Sequence, residues 1–377
     1  MIIEIKGTGF INKGAEMMLL TIIQELKHNT VKFTTTPLSE TCEYSSYSVL
    51  GIYPKLSYIY KRFDFGKFGK LLPKQIRNIF GLVIDKDVDV VLDASGFAYS
   101  SKWNEYKTKR MANDCVRWKK MDKKIILLPQ AFGPLESKYI QKHMRRIIDN
   151  ADIIYARDLL SYQTLLGIKD DQRVIRMFPD FTILLKGEVP PYYDNSKHQV
   201  CIVPNQRMID KVDNSDNYME FLTKIIKLIQ LNGLQPYFLI HGGTQDENLA
   251  ISINQRLTER IEIVNEQNPY YIKGIISKSK ALIGSRFHSI ASALYSSVPV
   301  IGTSWNHKYH YLFADFNFVE GLIETDASDD IINNKLKVVF DVTERNKLIE
   351  HLSLQNEKIK KKSEQMFNEV KQEIGLV

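Results

Sequence analysis

Cysteine is scarce in this chain of 377 residues, and the three present, Cys42, Cys115 and Cys201, lie far apart. They make neither a paired framework nor a C-x-x-C metal motif, which excludes a disulfide-stapled fold and leaves three ordinary buried thiols. No run of about 18 apolar residues occurs, so no spanning helix is expected. The start, MIIEIKGTGF, has no basic region leading into an apolar one, and the expected location is the cytoplasm. Zinc-finger spacing, an RNP-like aromatic motif and a helix-turn-helix signature are all missing, so nucleic acid is not an expected partner. No grouping of His, Asp or Glu has metal-ligand spacing, and no metal is expected.

What is there is a globular composition, with 44% apolar residues and a formal net charge of +7. Single cores stop growing near about 250 to 300 residues, so a chain of this length reads as two domains. The positive balance points to anionic partners, phosphorylated metabolites or acidic membrane surfaces among them.

The most informative stretch is 281–310, ALIGSRFHSIASALYSSVPVIGTSWNHKYH. It reads as a buried strand (Ala281 to Gly284), a tight turn (Ser285 to Phe287), a small-residue helix (His288 to Ser297), a Pro-led strand (Val298 to Gly302) and a polar loop ending near Lys308. Short apolar runs separated by an Ala- and Ser-rich helix suit parallel strands covered on both faces. In open α/β sheets the ligand crevice lies beyond the carboxyl ends of the strands, where the next helix offers unpaired N–H groups to an anion. Arg286 and His288 therefore stand at the mouth of a site.

The S-R-x-H turn, the A-x-x-x-x-x-P-V passage after it and the loop lysine resemble the signature of the polysaccharide pyruvyl transferase family. Members move pyruvate from phosphoenolpyruvate onto two hydroxyls of a sugar as a cyclic ketal, on a fold similar to the two-domain GT-B glycosyltransferases. The expected architecture is accordingly α/β, with two Rossmann-like doubly wound domains, GT-B-like, and C-terminal helices. Residues 1–185 form the acceptor-side domain, 186–198 (KGEVPPYYDNSKH) the linker, and 199–377 the domain with the phosphoenolpyruvate turn.

In chain order, strand Ile2 to Ile5 leads through GTGFINKG into a helix from about Ala15 to Lys27. The full dinucleotide fingerprint is absent, so NAD is not expected. Asn12, Gly14 and Glu16 resemble the family's N-terminal motif and imply acceptor contacts at Asn12 and Glu16; alternatively Glu16 only complements the helix dipole. The next strand, Val88 to Asp93, runs into ASGFAYS, where Ser95 or Tyr99 contacts a sugar or the segment is a plain β-to-α connection. Strand Lys124 to Pro129 enters QAFGP, similar to a family turn of structural purpose. Strand Asp152 to Tyr155 ends in Ala156-Arg157-Asp158 with Ser161 beyond, and Pro179-Asp180 closes the domain. By resemblance Arg157 faces phosphoenolpyruvate; the other reading is an ion pair with Asp158 or a surface acid.

The second domain alternates strand Val200 to Val203, helix Asn217 to Leu231, strand Pro236 to Ile240, helix Asp246 to Thr258, strand Ile261 to Val264, a further helix and the 281–310 stretch. That alternation argues for another doubly wound sheet. His241 resembles a substrate-side histidine of the family, or caps and packs beside its two glycines. The tail from Asp329 reads as two helices, with Lys358 and Lys360 to Lys362 on a solvated face.

The chemistry implied by the resemblance needs fixed cations for a phosphate and a carboxylate, and Arg157, Arg286 and Lys308, with Phe287 in the turn, are the phosphoenolpyruvate-binding candidates. No cofactor is expected beyond that co-substrate. His288 is the expected general acid, kept protonated by the anions beside it, unless it is a core histidine capping the helix. A nucleotide-sugar glycosyltransferase of GT-B type is the alternative, with Glu320 or Glu324 on the ribose.

Residues 53–80, YPKLSYIYKRFDFGKFGKLLPKQIRNIF, hold seven basic residues, seven aromatics and one acid, Asp64. The mixture suits an anionic bilayer surface, or the aromatics pack on the first domain and the lysines are solvated. The first reading fits a lipid-linked acceptor and peripheral docking on the inner membrane face.

Overall fold

The computed structural model describes residues 1–35, 44–56, 59–60, 63–103, 105–210, 215–304 and 308–376. Cys42, Lys61 and Arg62 of the sequence reading lie outside them. The chain divides into two compact units, Met1–Phe10 with Met18–Phe181 and Lys362–Val377, and Ile11–Met17 with Thr182–Lys361. Residues 11–17, 182–185 and 362–377 thus group differently from the contiguous domains drawn on sequence.

The first unit holds β1 (Ile2–Lys6), β2 (Lys32–Thr35), β3 (Ile52–Pro54), β4 (Val90–Asp93), β5 (Lys124–Gln130), β6 (Ile153–Ala156) and β7 (Ile175–Met177), all parallel in the order β3-β2-β1-β4-β5-β6-β7. VVLD of β4 and IIYA of β6 are buried at every position, as strands covered on both faces must be. Helix α1 (Lys13–Leu26) follows β1, and α2 (Tyr106–Lys119), α3 (Lys138–Ile148) and α4 (Leu159–Ile168) follow β4, β5 and β6. Met111, Cys115 and Trp118 of α2 and Ile140, Met144 and Ile147 of α3 recur at helical spacing and pack on Val91, Ile125, Leu127 and Ile154.

The second unit repeats the plan with β8 (Val200–Val203), β9 (Pro236–Leu239), β10 (Glu262–Val264), β11 (Ala281–Gly284) and β12 (Val300–Gly302), parallel in the order β10-β9-β8-β11-β12. Its longer helices are α5 (Ser215–Leu231), α6 (Thr244–Asn254), α7 (Pro269–Lys278), α8 (Phe287–Tyr295), α9 (Lys308–Asp315), α10 (Asp329–Phe340) and α11 (Val342–Glu373). The strand order reverses between β8 and β11, and at such a switch point the ligand crevice of a doubly wound sheet opens. The loops after β8 and β11 border that point. From Lys362 onward α11 belongs to the first unit, where Glu369 accepts hydrogen bonds from Arg176 at 2.8 Å and Tyr155 at 3.2 Å.

Several expectations shift. The sequence reading passes from the first strand to one at Val88 and misses β2 and β3, whose KFTT and IYP are too short to show a period. β12 begins at Val300 rather than Val298, because Pro299 has no N–H to give the ladder. Lys308 opens α9 instead of closing a loop, and α6 starts at Thr244 and ends at Asn254. Cys115 and Cys201 are buried free thiols. Among the described residues no helix is long and apolar enough to cross a membrane.

Candidate active site

The site is built from one residue outward. β11 ends at Gly284, opposite Gly302 in the ladder, and the next residue, Ser285, is fully buried. Its hydroxyl hydrogen-bonds with those of Tyr218 at 2.7 Å and Thr303 at 2.6 Å. Its carbonyl accepts from Asn205 Nδ2 at 2.6 Å and from the Tyr309 hydroxyl at 2.8 Å. Groups on α5, on α9 and in the loops after β8 and β12 thus fix a single turn, with both polar ends of Ser285 satisfied as burial demands.

Arg286 leaves that turn at the N-terminus of α8. Its Nε donates to Asp246 Oδ2 at 2.7 Å and its Nη2 to Asp246 Oδ1 at 2.5 Å, a two-point pairing that fixes the guanidinium plane. Asp246 is fully buried in the first turn of α6 and also accepts the backbone N–H of Gln206 at 3.0 Å. A side chain on Gly242 would run into both the guanidinium and the carboxylate, so this position needs glycine for space. With Nε and Nη2 turned to Asp246, Nη1 is the guanidinium nitrogen outside that pairing.

His288 follows in the first turn of α8, and its ring packs against the start of α1. Asn12 caps that helix, its Oδ1 accepting from Gly14 N at 3.0 Å and its carbonyl from Glu16 N at 3.0 Å. A Cβ on the buried Gly14 would lie 2.7 Å from His288 Cε1 and closer still to Nδ1 and Cγ. Phe287 is buried, edge-on to His288 at 5.2 Å and to Tyr309 at 5.7 Å, and Lys308 Nζ stands 5.1 Å over its ring. Arg286, His288 and Lys308 are thereby grouped around Phe287.

His241, just past β9, is buried, and among the described residues its Nε2 has no hydrogen-bond partner. Burial first, then the positive charges of His288, Arg286 and Lys13, push its pKa down to about 3. At neutral pH its ring is uncharged. Glu16 pairs with Lys13 at 2.8 Å, and burial raises its carboxyl while Lys13 opposes the rise. Asn12, Glu16, His241, Arg286, Phe287, His288 and Lys308 all lie in the second unit.

Ser95, Tyr99 and Arg157 lie in the first unit. The Ser95 and Tyr99 hydroxyls both donate to the buried Asp93, at 2.6 and 2.9 Å, and Gln130 Nε2 donates to it at 3.0 Å. Arg157 is buried, and its Nη1 reaches Asp180 Oδ2 at 3.3 Å. The acid it meets is thus a buried one, Asp180, while Asp158 caps α4, accepting from Ser161 N at 2.7 Å. Sequence reasoning missed Asp246, Asn205 and Tyr218. For Asp246 a signal existed, a glycine pair followed by an acid in a helix's first turn, but its partner is 40 residues away in sequence. Among the described residues no group of three or more His, Cys, Asp or Glu could hold a metal ion.

A family model described as polysaccharide pyruvyl transferase matches residues 12–307. Comparison with curated proteins gives no match. Among solved structures, a UDP co-structure of MnaA from S. aureus aligns with a TM-score of 0.60 at 15% identity, covering 100% of this chain and 97% of that one. UDP-GlcNAc 2-epimerase from Neisseria meningitidis, bound to UDP-GlcNAc, aligns with a TM-score of 0.61 at 11% identity and 98% coverage of each chain. An O-GlcNAc transferase mutant from Thermobaculum terrenum gives 0.52 at 11% identity, over 99% of this chain and 66% of that one. Identities this low establish the fold alone, a parallel α/β architecture of GT-B-like kind.

Proposed function

Since the chain belongs to the polysaccharide pyruvyl transferase family, we propose that it moves pyruvate from phosphoenolpyruvate onto two hydroxyls of a hexose in a polysaccharide precursor, as a cyclic ketal. The observation that carries this reading is the turn from Ser285 to His288. It sets a clamped arginine and a histidine at the switch point of a parallel sheet, with Lys308 beside them.

Arg286, through Nη1, and Lys308 hold the phosphate and carboxylate. His288 gives a proton to the enol methylene carbon; the carbon–carbon π pair forms the new C–H bond and leaves C2 cation-like. One sugar hydroxyl bonds to C2 and sheds its proton. Phosphate departs with the C–O pair, and the second hydroxyl closes the ring with loss of its own proton. His241, neutral, accepts a hydrogen bond from the sugar, and Asn12 and Glu16 border the same place. The reaction uses phosphoenolpyruvate as co-substrate and needs no metal or other cofactor. The acceptor is a lipid-linked unit of a bacterial capsule or exopolysaccharide, and the enzyme works on the inner membrane face.

Incubation with phosphoenolpyruvate and a panel of lipid-linked and nucleotide-linked hexoses tests this. Phosphate release matched by an added pyruvyl mass supports it, and intact phosphoenolpyruvate with every acceptor contradicts it. A second reading, a glycosyltransferase using a nucleotide sugar, draws on the nucleotide-bound structural neighbours. Leu322 bridges Gly302 in parallel, so the exposed Glu320 and Glu324 flank the end of β12, and in this reading one of them takes the ribose. Release of nucleoside diphosphate without use of phosphoenolpyruvate would select that reading.

A further inference from the structure

The segment from Phe65 to Phe80 is built inside out. A 3₁₀ turn over Phe65–Leu71 leads into a short helix, Lys74–Ile79. On that helix the one buried side chain is Arg77, which donates to the Leu72 carbonyl at 3.3 Å and pairs with Asp87. The apolar residues face the other way. Ile76 and Ile79, one turn apart on the helix, are exposed, Ile79 by 77%, and so are Leu71 and Leu72 just before it and Phe80 at its end, Leu71 by 78% and Phe80 by 67%. Ordinary surface helices bury the apolar stripe and solvate the cation. Large apolar side chains clustered on an exposed surface mark an interaction site.

The charge around the face decides what covers it. No acidic residue occurs between Asp64 and Asp85, and Lys70 and Lys74 are exposed beside the apolar set. A second copy of the same face would bring lysines against lysines with no acid to meet them. An interfacial segment of this kind, apolar on one side with flanking lysines, matches the boundary between acyl chains and anionic headgroups. We propose that the face formed by Leu71, Leu72, Ile76, Ile79 and Phe80 docks the protein on an anionic lipid bilayer, with Lys70 and Lys74 against acidic headgroups. This rests on the lipid-linked acceptor of the preceding reading, and it narrows the anchor from the whole of residues 53–80 to the C-terminal part of that segment.

The full chain is sedimented with vesicles of phosphatidylcholine alone and of phosphatidylcholine with one part in three phosphatidylglycerol. Binding to the anionic vesicles alone, weakened by salt, is expected. Ile79→Glu with Phe80→Glu lowers that binding at least about tenfold, and Lys70→Glu with Lys74→Glu does the same at low salt. All four positions are exposed, and unchanged circular dichroism melts verify the fold. Failure of the wild-type chain to bind anionic vesicles, binding indifferent to both double variants, or a wild-type dimer that Ile79→Glu with Phe80→Glu dissolves would each overturn the proposal. Phosphate release from phosphoenolpyruvate with a soluble acceptor is read on the same samples. Vesicle binding without turnover keeps the docking face and sinks the transferase reading; turnover without vesicle binding does the reverse.

Discussion

The ring of His288 occupies the space that a side chain on Gly14 would need, with Cε1 2.7 Å from the ideal Cβ position. The N-terminal motif therefore acts on the site by what it omits. Gly14→Ala pushes the imidazole aside, and a displacement of about 1 Å at a reacting group costs roughly 100-fold in rate. Alanine is favoured over glycine in a helix by up to about 1 kcal/mol, against about 1 to 3 kcal/mol for overpacking, so a net loss of stability of up to about 2 kcal/mol is expected. Turnover measured beside a thermal melt checks this; wild-type turnover would mean that the ring position is immaterial.

Arg286 and Asp246 form a clamp whose loss is read in kinetics. Arg286→Ala removes about 2 to 4 kcal/mol of transition-state stabilisation, seen in kcat/KM. Asp246→Asn keeps the shape of the site but loosens the guanidinium plane, and it lowers kcat by more than it raises the KM for phosphoenolpyruvate. Arg286→Lys does not restore activity, since an ammonium cannot use one edge for Asp246 and another for the ligand. Full activity in Asp246→Asn would show that the pairing is not needed.

Arg157 carries a phosphate on the sequence expectation and a buried carboxylate, Asp180, in the structure. Removing one partner of a buried pair costs about 3 to 5 kcal/mol, so Arg157→Ala lowers the denaturation midpoint markedly. Arg157→Ala combined with Asp180→Ala restores part of that stability. Activity then separates the two roles: a stable but inactive double variant assigns Arg157 to the ligand, and a stable, active one assigns it to the fold.

His241 makes stability depend on pH. Unfolded, it binds a proton below about pH 6.5; folded, its pKa is held down to about 3. Between those values the unfolded chain holds the extra proton, so this contribution is complete above the unfolded pKa and is lost as pH falls. Acidification from pH 6.5 to 4.5 costs about 2 kcal/mol from this group. Urea midpoints across that range should fall for the wild type and fall less for His241→Gln; equal slopes would mean that His241 titrates normally.

Much of the second unit was legible because most of its strands are short apolar runs. Ala281–Gly284 and Val200–Val203 occupy the residues read from sequence, and Arg286 and His288 stand at a strand's carboxyl end as doubly wound topology requires. Short, partly polar strands such as Ile52–Pro54 carry no period to detect. The pairing of Arg286 with Asp246 was invisible for a different reason, since it depends on which loops meet beyond the β8 and β11 ends. The same holds for Gly14, whose motif was recognised but whose reason is a ring contributed from the far end of the chain.

The most direct test of the account follows one proton. Turnover of phosphoenolpyruvate and acceptor in deuterium oxide, read by mass spectrometry of the product, should put one solvent deuteron in the methyl group of the ketal for each phosphate released. His288→Ala should form almost no ketal while its affinity for phosphoenolpyruvate stays within about tenfold, because the imidazole is assigned proton transfer rather than charge pairing. Ketal formation at the wild-type rate in His288→Ala, or a product methyl without solvent deuterium, would contradict it.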